Sequence, residues 1–216
     1  MRPHLVIFDM DGTVLDTLED LLNALNYALE KHGYGRRTLA QMTAYVGSGL
    51  YAMVTRALGN CDDKAVCDPV FADFKAYYLE HYNVLTRPYP GIPELMKALK
   101  AEGVKCAISS NKVDSAAGEL SRAHFGDLVD MCVGESPFTP RKPDPTGTFR
   151  LMETLGASRK DTVYVGDSDV DCETARRAGL PFIAVTWGFR SREQLKAAGA
   201  AVFADSCEEL ERLLKS

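Results

Sequence analysis

The sequence predicts an α/β protein, a Rossmann-like, doubly wound parallel sheet carrying an inserted α-helical domain. Three observations lead there. Short runs rich in β-branched residues recur with helix-forming stretches between them, the pattern of a parallel sheet with crossover helices. The interval between the first two runs, residues 9–104, is far longer than one crossover helix requires. Polar, acid-rich clusters follow the runs directly, where open α/β sheets place their ligand crevice.

Taken in order, the strands fall at Leu5 to Phe8, Lys105 to Ser109, Met131 to Val133, Thr162 to Val165 and Phe182 to Val185, with a possible edge strand at Ala201 to Phe203. Pro93 to Ala101, Ser115 to His124, Thr146 to Leu155 and Asp171 to Ala178 carry apolar residues at mixed three- and four-residue spacing, as amphipathic helices do. Glu208 to Leu214 closes the chain with another. Within the insertion, Leu18, Leu21, Leu22, Leu25 and Leu29 share one face of a helix running to His32, and Leu50 to Leu58 and Pro69 to Tyr82 also read as helical. Asp16 reads as the N-cap of the first of these helices. The return segment Arg87-Pro88-Tyr89-Pro90-Gly91 is built of turn formers and reads as a linker. The expected division is therefore a core of residues 1–16 and 87–216 with a helical cap of residues 17–86.

Composition narrows the function classes. The 216 residues are 46% hydrophobic and 25% charged, an ordinary globular balance. A net charge of -5 gives no basic footprint for nucleic acid. No apolar run approaches the roughly 20 residues a bilayer span needs. Six cysteines are present without a leader-like N-terminus, so a reducing cytoplasm is expected. Cys61 and Cys67 lack the CxxC spacing or histidine partners of a zinc site. The histidines at 4, 32, 81 and 124 stand apart from the acid-rich loops, and His32 and His124 suit helix ends.

The chemistry lies in three loops: Asp9-Met10-Asp11-Gly12-Thr13 after the first strand, Ser110-Asn111-Lys112 after the second, and Gly166-Asp167-Ser168-Asp169-Val170-Asp171 after the fourth. Gathering Asp9, Asp11, Asp167 and Asp171 into one crevice is repulsive by itself. A hard cation resolves it, and Mg2+ commonly takes one or two carboxylates together with substrate phosphate oxygens. The pattern therefore points to a small phosphorylated metabolite as well as to Mg2+.

Asp9-Met10-Asp11-Gly12-Thr13-Val14-Leu15-Asp16 resembles the first motif of haloacid dehalogenase-like (HAD-like) phosphatases. Ser110-Asn111, Lys142-Pro143-Asp144-Pro145 and Gly166-Asp167-Ser168 through Asp171 are similar to the next three, in order. The resemblance spans the whole chain and implies a helical cap at the inserted position. It implies that Asp9 is the nucleophile forming an aspartyl phosphate, and that Asp11 serves as acid and then base. Mg2+ would be held by Asp9, the Asp11 backbone carbonyl and Asp167, with Asp171 orienting a bound water. Ser110 and Lys142 would bind and neutralise the transferring phosphoryl group. Gly12 would let the chain turn tightly, and Gly12, Thr13 and Asn111 would face the phosphate.

Within that family, the acid at Asp11 argues against dehalogenation, which needs no proton donor there. Gly166 stands where the related sugar phosphomutases usually carry Glu, and no cap lysine signature of phosphonate hydrolysis is present. In the cap, Val46-Gly47-Ser48-Gly49-Leu50 resembles the glycine-rich loop of phosphoglycolate phosphatases, with Gly47, Ser48 and Gly49 leading into a helix whose N-terminus suits an anionic substrate tail. Trp187-Gly188-Phe189-Arg190 is also similar to that subgroup. The expected reaction is hydrolysis of 2-phosphoglycolate, with pyrophosphate or another small phosphoester as alternatives. A phosphomutase or a silent binding protein is a more distant one. Cap closure over the crevice would exclude bulk water.

Overall fold

A computed structural model describes residues 2–46 and 49–215, so Gly47 and Ser48 of the glycine-rich loop lie outside the described residues. The chain divides into two compact units, Met1–Leu15 with Pro88–Ser216, and Asp16–Arg87.

The first strand, β1 (Leu5–Phe8), is buried at every position, as a central parallel strand covered on both faces must be. A tight turn follows, in which Val14 N–H and Leu15 N–H both donate to Met10 O. The two-residue strand β2 (Leu15–Asp16) pairs with its counterpart β3 (Arg87–Pro88) where the chain passes between the units.

The inserted unit is helical: α1 (Leu18–Lys31), α2 (Leu39–Tyr45), α3 (Leu50–Ala57) and α4 (Lys64–His81). Leu21, Leu25 and Leu29 of α1 are buried, as their spacing requires. The N-cap of α1 is Thr17 rather than Asp16, although the Asp16 carboxylate still accepts a 3.4 Å hydrogen bond from Leu18 N–H. The start of α4 also differs from expectation. Pro69 does not open the helix but lies inside it, because Asp63 caps the end five residues earlier by accepting from Ala65 N–H at 2.9 Å. That longer helix buries Cys67 and Val70 along with Phe74 and Tyr78, which offsets the backbone bond the proline forfeits. His32 follows the last turn of α1 and meets Asp73 of α4 at 2.8 Å.

Within the larger unit, α5 (Ile92–Ala101) leads into β4 (Lys105–Val113), α6 (Asp114–Phe125) and β5 (Met131–Glu135). Next come α7 (Thr146–Leu155), β6 (Thr162–Gly166), α8 (Asp169–Ala178) and β7 (Phe182–Val185). The chain ends with α9 (Arg192–Ala197), β8 (Val202–Ala204) and α10 (Cys207–Lys215). Six strands form one parallel sheet in the order β5-β4-β1-β6-β7-β8. The order reverses direction at β1, between β4 and β6, which creates a crevice at the carboxyl ends of those strands.

Two helices were not anticipated, α2 and α9. Both begin with a reciprocal capping box, Thr38 with Gln41 and Ser191 with Gln194, a signal present in the sequence. A third capping box, Ser168 with Asp171, starts α8 two residues earlier than its apolar pattern suggested. β4 continues past Ser109 to Val113, with its register against β5 shifting between those two residues. Ser110, Asn111 and Lys112 thus ride on an irregular strand extension rather than a free loop. Among the described residues no helix is long and apolar enough to cross a membrane, and all six cysteines are free.

Candidate active site

Register brings the acid-rich loops together. Phe8 of β1 is level with Ile108 of β4 and with Val165 of β6. Asp9, Ser109 and Gly166 therefore stand side by side along three adjacent strands, and Asp9 N–H extends the ladder by donating to Val165 O at 2.9 Å.

At the bottom of the crevice, Asp9, Asp167 and Asp171 each offer a carboxylate oxygen within 4.8 Å of the others. All three are buried, and so is Lys142. The Lys142 ammonium is held by three acceptors: Asp9 Oδ1 at 2.5 Å, Asp171 Oδ1 at 2.7 Å and Ser109 O at 3.0 Å. One ammonium does not balance three carboxylates. Burial, with Asp171 and Asp167 nearby, holds the Asp9 carboxyl well above the usual carboxylate range despite the opposing pull of Lys142. Burial and Asp171 push Asp167 up to about 7. Burial alone would lower the Lys142 ammonium, but the Asp171 and Asp9 charges outweigh it and hold it well above its ordinary value.

Each carboxylate is oriented differently. Lys142 engages Oδ1 of Asp9, while Oδ2 accepts no hydrogen bond from the described residues. Asp171 has both oxygens occupied, Oδ1 by Lys142 and Oδ2 by the Ser168 hydroxyl at 2.5 Å and the Ser168 N–H at 3.2 Å. Asp167 accepts from the Thr13 hydroxyl at 3.0 Å and from Phe189 N–H at 2.7 Å. The side chain of Asp11 stands outside this trio and pairs with Lys112 Nζ at 2.8 Å.

Several side chains expected to face substrate turn inward instead. Thr13 is fully buried, its hydroxyl committed to Asp167. Asn111 accepts from Lys142 N–H at 2.7 Å and donates to Lys142 O at 3.3 Å, so both its polar ends fix the backbone of the lysine. Ser110 is also buried, but its Oγ accepts from Lys112 N–H at 3.1 Å and so keeps its own proton to donate. Gly12 has φ 86°, and a Cβ there would strike the Asp167 carboxylate, so its glycine serves the acid as well as the turn. In the inserted unit, Gly49 precedes α3 with φ 95°.

The sequence placed Lys112 in the loop after the second strand but gave it no role, and it left the segment after β7 undecided. Lys112 is shielded with only 10% of its side chain exposed, which a run of adjacent polar residues does not reveal. Trp187 Nε1 donates to Thr13 O at 3.1 Å and Arg190 Nε reaches Asp169 at 3.3 Å, contacts between residues far apart in sequence.

A parallel α/β sheet with buried carboxylates and a lysine at its switch point defines the class, a doubly wound α/β protein with a charged crevice at the carboxyl ends of its strands. Residues 6–185 match the family model of haloacid dehalogenase-like hydrolases. The chain is 34% identical over 187 residues to a phosphoglycolate phosphatase of Aquifex aeolicus, covering 86% of each chain. It is 35% identical over 190 residues to one of Cereibacter sphaeroides, again covering 86% of each. A crystal structure of a protein from Lactobacillus delbrueckii subsp. bulgaricus superposes with a TM-score of 0.95 at 38% identity, covering 99% of both chains. The chain belongs to the haloacid dehalogenase-like hydrolase family. Within that family it is a phosphatase, a phosphoric monoester hydrolase similar to the phosphoglycolate phosphatases.

Proposed function

We propose that this phosphatase hydrolyses 2-phosphoglycolate to glycolate and phosphate through an aspartyl phosphate on Asp9, with Mg2+ as its cofactor. The observation that carries the mechanism is the asymmetry of Asp9, whose Oδ1 is fixed by Lys142 while Oδ2 has no donor among the described residues. In the first step Oδ2 bonds to phosphorus as the ester P–O bond breaks, and Asp11 gives its proton to the departing alkoxide. In the second, the Asp11 carboxylate takes a proton from water, whose oxygen bonds to phosphorus and releases Asp9. Lys142 offsets phosphoryl charge next to the nucleophile, and Ser110 donates to a phosphoryl oxygen. Asn111 acts one step removed, holding the Lys142 backbone, and Lys112 stands beside Asp11 at 2.8 Å.

The donor set suits Mg2+: hard carboxylate oxygens only, more negative charge than Lys142 neutralises, and acids whose ionised forms burial disfavours. Asp9 and Asp167 would hold the ion through carboxylates and Asp11 through its backbone carbonyl. Asp171, with both oxygens bonded, would act through water. Bound there, the ion would stabilise the ionised carboxylates and phosphoryl charge.

Two relatives named phosphoglycolate phosphatase at 34% and 35% identity support the substrate. The test is phosphate release from 2-phosphoglycolate, pyrophosphate, β-glucose 1-phosphate and an aryl phosphate, with Mg2+ or EDTA, in wild type and Asp9→Asn. The expected result is Mg2+-dependent turnover led by 2-phosphoglycolate and reduced at least about a thousandfold in Asp9→Asn. Preference for another ester would overturn the substrate alone. Undiminished turnover in Asp9→Asn would overturn the mechanism.

A further inference from the structure

Besides facing Asp9 and Asp171, the carboxylate of Asp167 is held by groups that the reaction itself does not use. Its Oδ1 accepts from the Thr13 hydroxyl and its Oδ2 from the Phe189 N–H. Two glycines flank it. A Cβ on Gly12 would collide with the Asp167 carboxylate, and a Cβ on Gly188 would collide with both the Asp167 side chain and the Gly12 carbonyl. Trp187 closes the circuit by donating from Nε1 to Thr13 O at 3.1 Å, so the residue that orients one oxygen is tied to the segment that orients the other. Arg190 anchors the far end on Asp169 at 3.3 Å.

We infer that the Trp187–Arg190 strap and Thr13 are positioning residues that clamp Asp167 in the orientation a divalent cation requires, with glycine obligatory at 12 and 188 to let the clamp close. This rests on the reading of Asp167 as a cation ligand. A buried aspartate with single-bond freedom at two torsions has several rotamers, and binding a small, strictly octahedral ion from an unselected set loses affinity. Two N–H or O–H donors, one per oxygen, remove that freedom and leave the second lone pair of each oxygen available. Groups that orient a ligand in this way typically change metal affinity about 10- to 100-fold when removed. A role limited to packing makes a different prediction: the metal-free fold loses stability while the cation requirement stays where it was.

The experiment uses the full chain and compares wild type with Thr13→Val, Thr13→Ser and Gly188→Ala. Trp187 is the single tryptophan, so its emission reports from within the strap. Mg2+ is titrated against that emission, against the rise in melting temperature it produces, and against kcat and KM. Thr13→Val removes the donor at nearly constant volume and is expected to raise the Mg2+ half-saturation about tenfold or more. KM for the phosphoester should stay near wild type, and excess Mg2+ should restore most of kcat. Thr13→Ser keeps the hydroxyl and should titrate like wild type. Gly188→Ala should behave like Thr13→Val, and if it does not fold the valine and serine pair decides. Wild-type Mg2+ half-saturation in Thr13→Val would overturn the inference while leaving the proposed function intact. A wild-type protein with no Mg2+ response in any of the three readouts would overturn both.

Discussion

Lys142 has three N–H donors, and three acceptors meet them, two of which are carboxylates, one just after β1 and the other in the first turn of α8. Its backbone is fixed in turn by both polar ends of Asn111. Removing the ammonium leaves Asp9 and Asp171 facing each other while buried, a loss that typically costs about 3 kcal/mol or more. Lys142→Met is therefore expected to lower unfolding free energy by about that amount in EDTA and to reduce kcat by a hundredfold or more, about the effect of one transition-state donor. Urea unfolding and steady-state rates check this, and unchanged stability would show that the carboxylates do not depend on the lysine. That a lysine should meet these acids was legible in the order of the motifs. Asn111 and Thr13 were legible as site residues, but their inward orientation was not, because a polar side chain next to a catalytic one reads the same whether it faces substrate or a neighbouring backbone.

At the scale of elements, Asp20 of α1 does for the inserted unit what Lys142 does for the crevice. Buried at 3% exposure, its carboxylate accepts from Val84 N–H at 3.1 Å, Leu85 N–H at 3.0 Å, Thr86 N–H at 2.8 Å and the Thr86 hydroxyl at 2.8 Å. It ties the start of α1 to the segment that leaves the unit. Asp20→Ala should destabilise the protein by about 2 to 3 kcal/mol, because the buried Thr86 N–H loses its partner and cannot recover it from water, while the Thr86 hydroxyl keeps Tyr82 O at 3.1 Å. Amide exchange at Val84, Leu85 and Thr86 should accelerate more than exchange within α4. Equal protection in the variant would refute the tie. Helix positions were largely readable from leucine spacing and capping boxes. Asp20 was not, since one acid in the first turn of a helix reads as a favourable dipole partner.

For the whole molecule, the buried acids make stability depend on pH, and the proposed Mg2+ would compete with the same protons. Asp167, raised by burial and by Asp171 to about 7 from an ordinary 3.8, binds more protons folded than unfolded between those values. Metal-free stability from this group is therefore greatest at low pH and falls as pH rises towards 7. His124, lowered by burial, works in the opposite direction, so the informative quantity is the difference between EDTA and Mg2+ at each pH. The melting-temperature gain from Mg2+ should grow steadily from pH 5 to pH 7 as the proton competing for Asp167 is lost. A gain that is constant or shrinks over this interval would contradict the assignment of Asp167 to the cation.

The sequence by itself determined the class of sheet, the presence and place of the helical insertion, and the acids and lysine that meet at the strand ends. All but the lysine follow from periodicity, loop length and residue type, which are local or additive along the chain; the lysine was legible only through the resemblance of its motif. Tertiary structure decided which oxygen of each carboxylate is held and by what. The Thr13 hydroxyl, the Phe189 N–H and Gly188 meet around Asp167 only because β1, β6 and β7 lie in neighbouring positions of one parallel sheet. Hydrogen bonds and steric gaps act over a few ångströms, so residues more than 150 positions apart acquire a shared role only after the strands are paired.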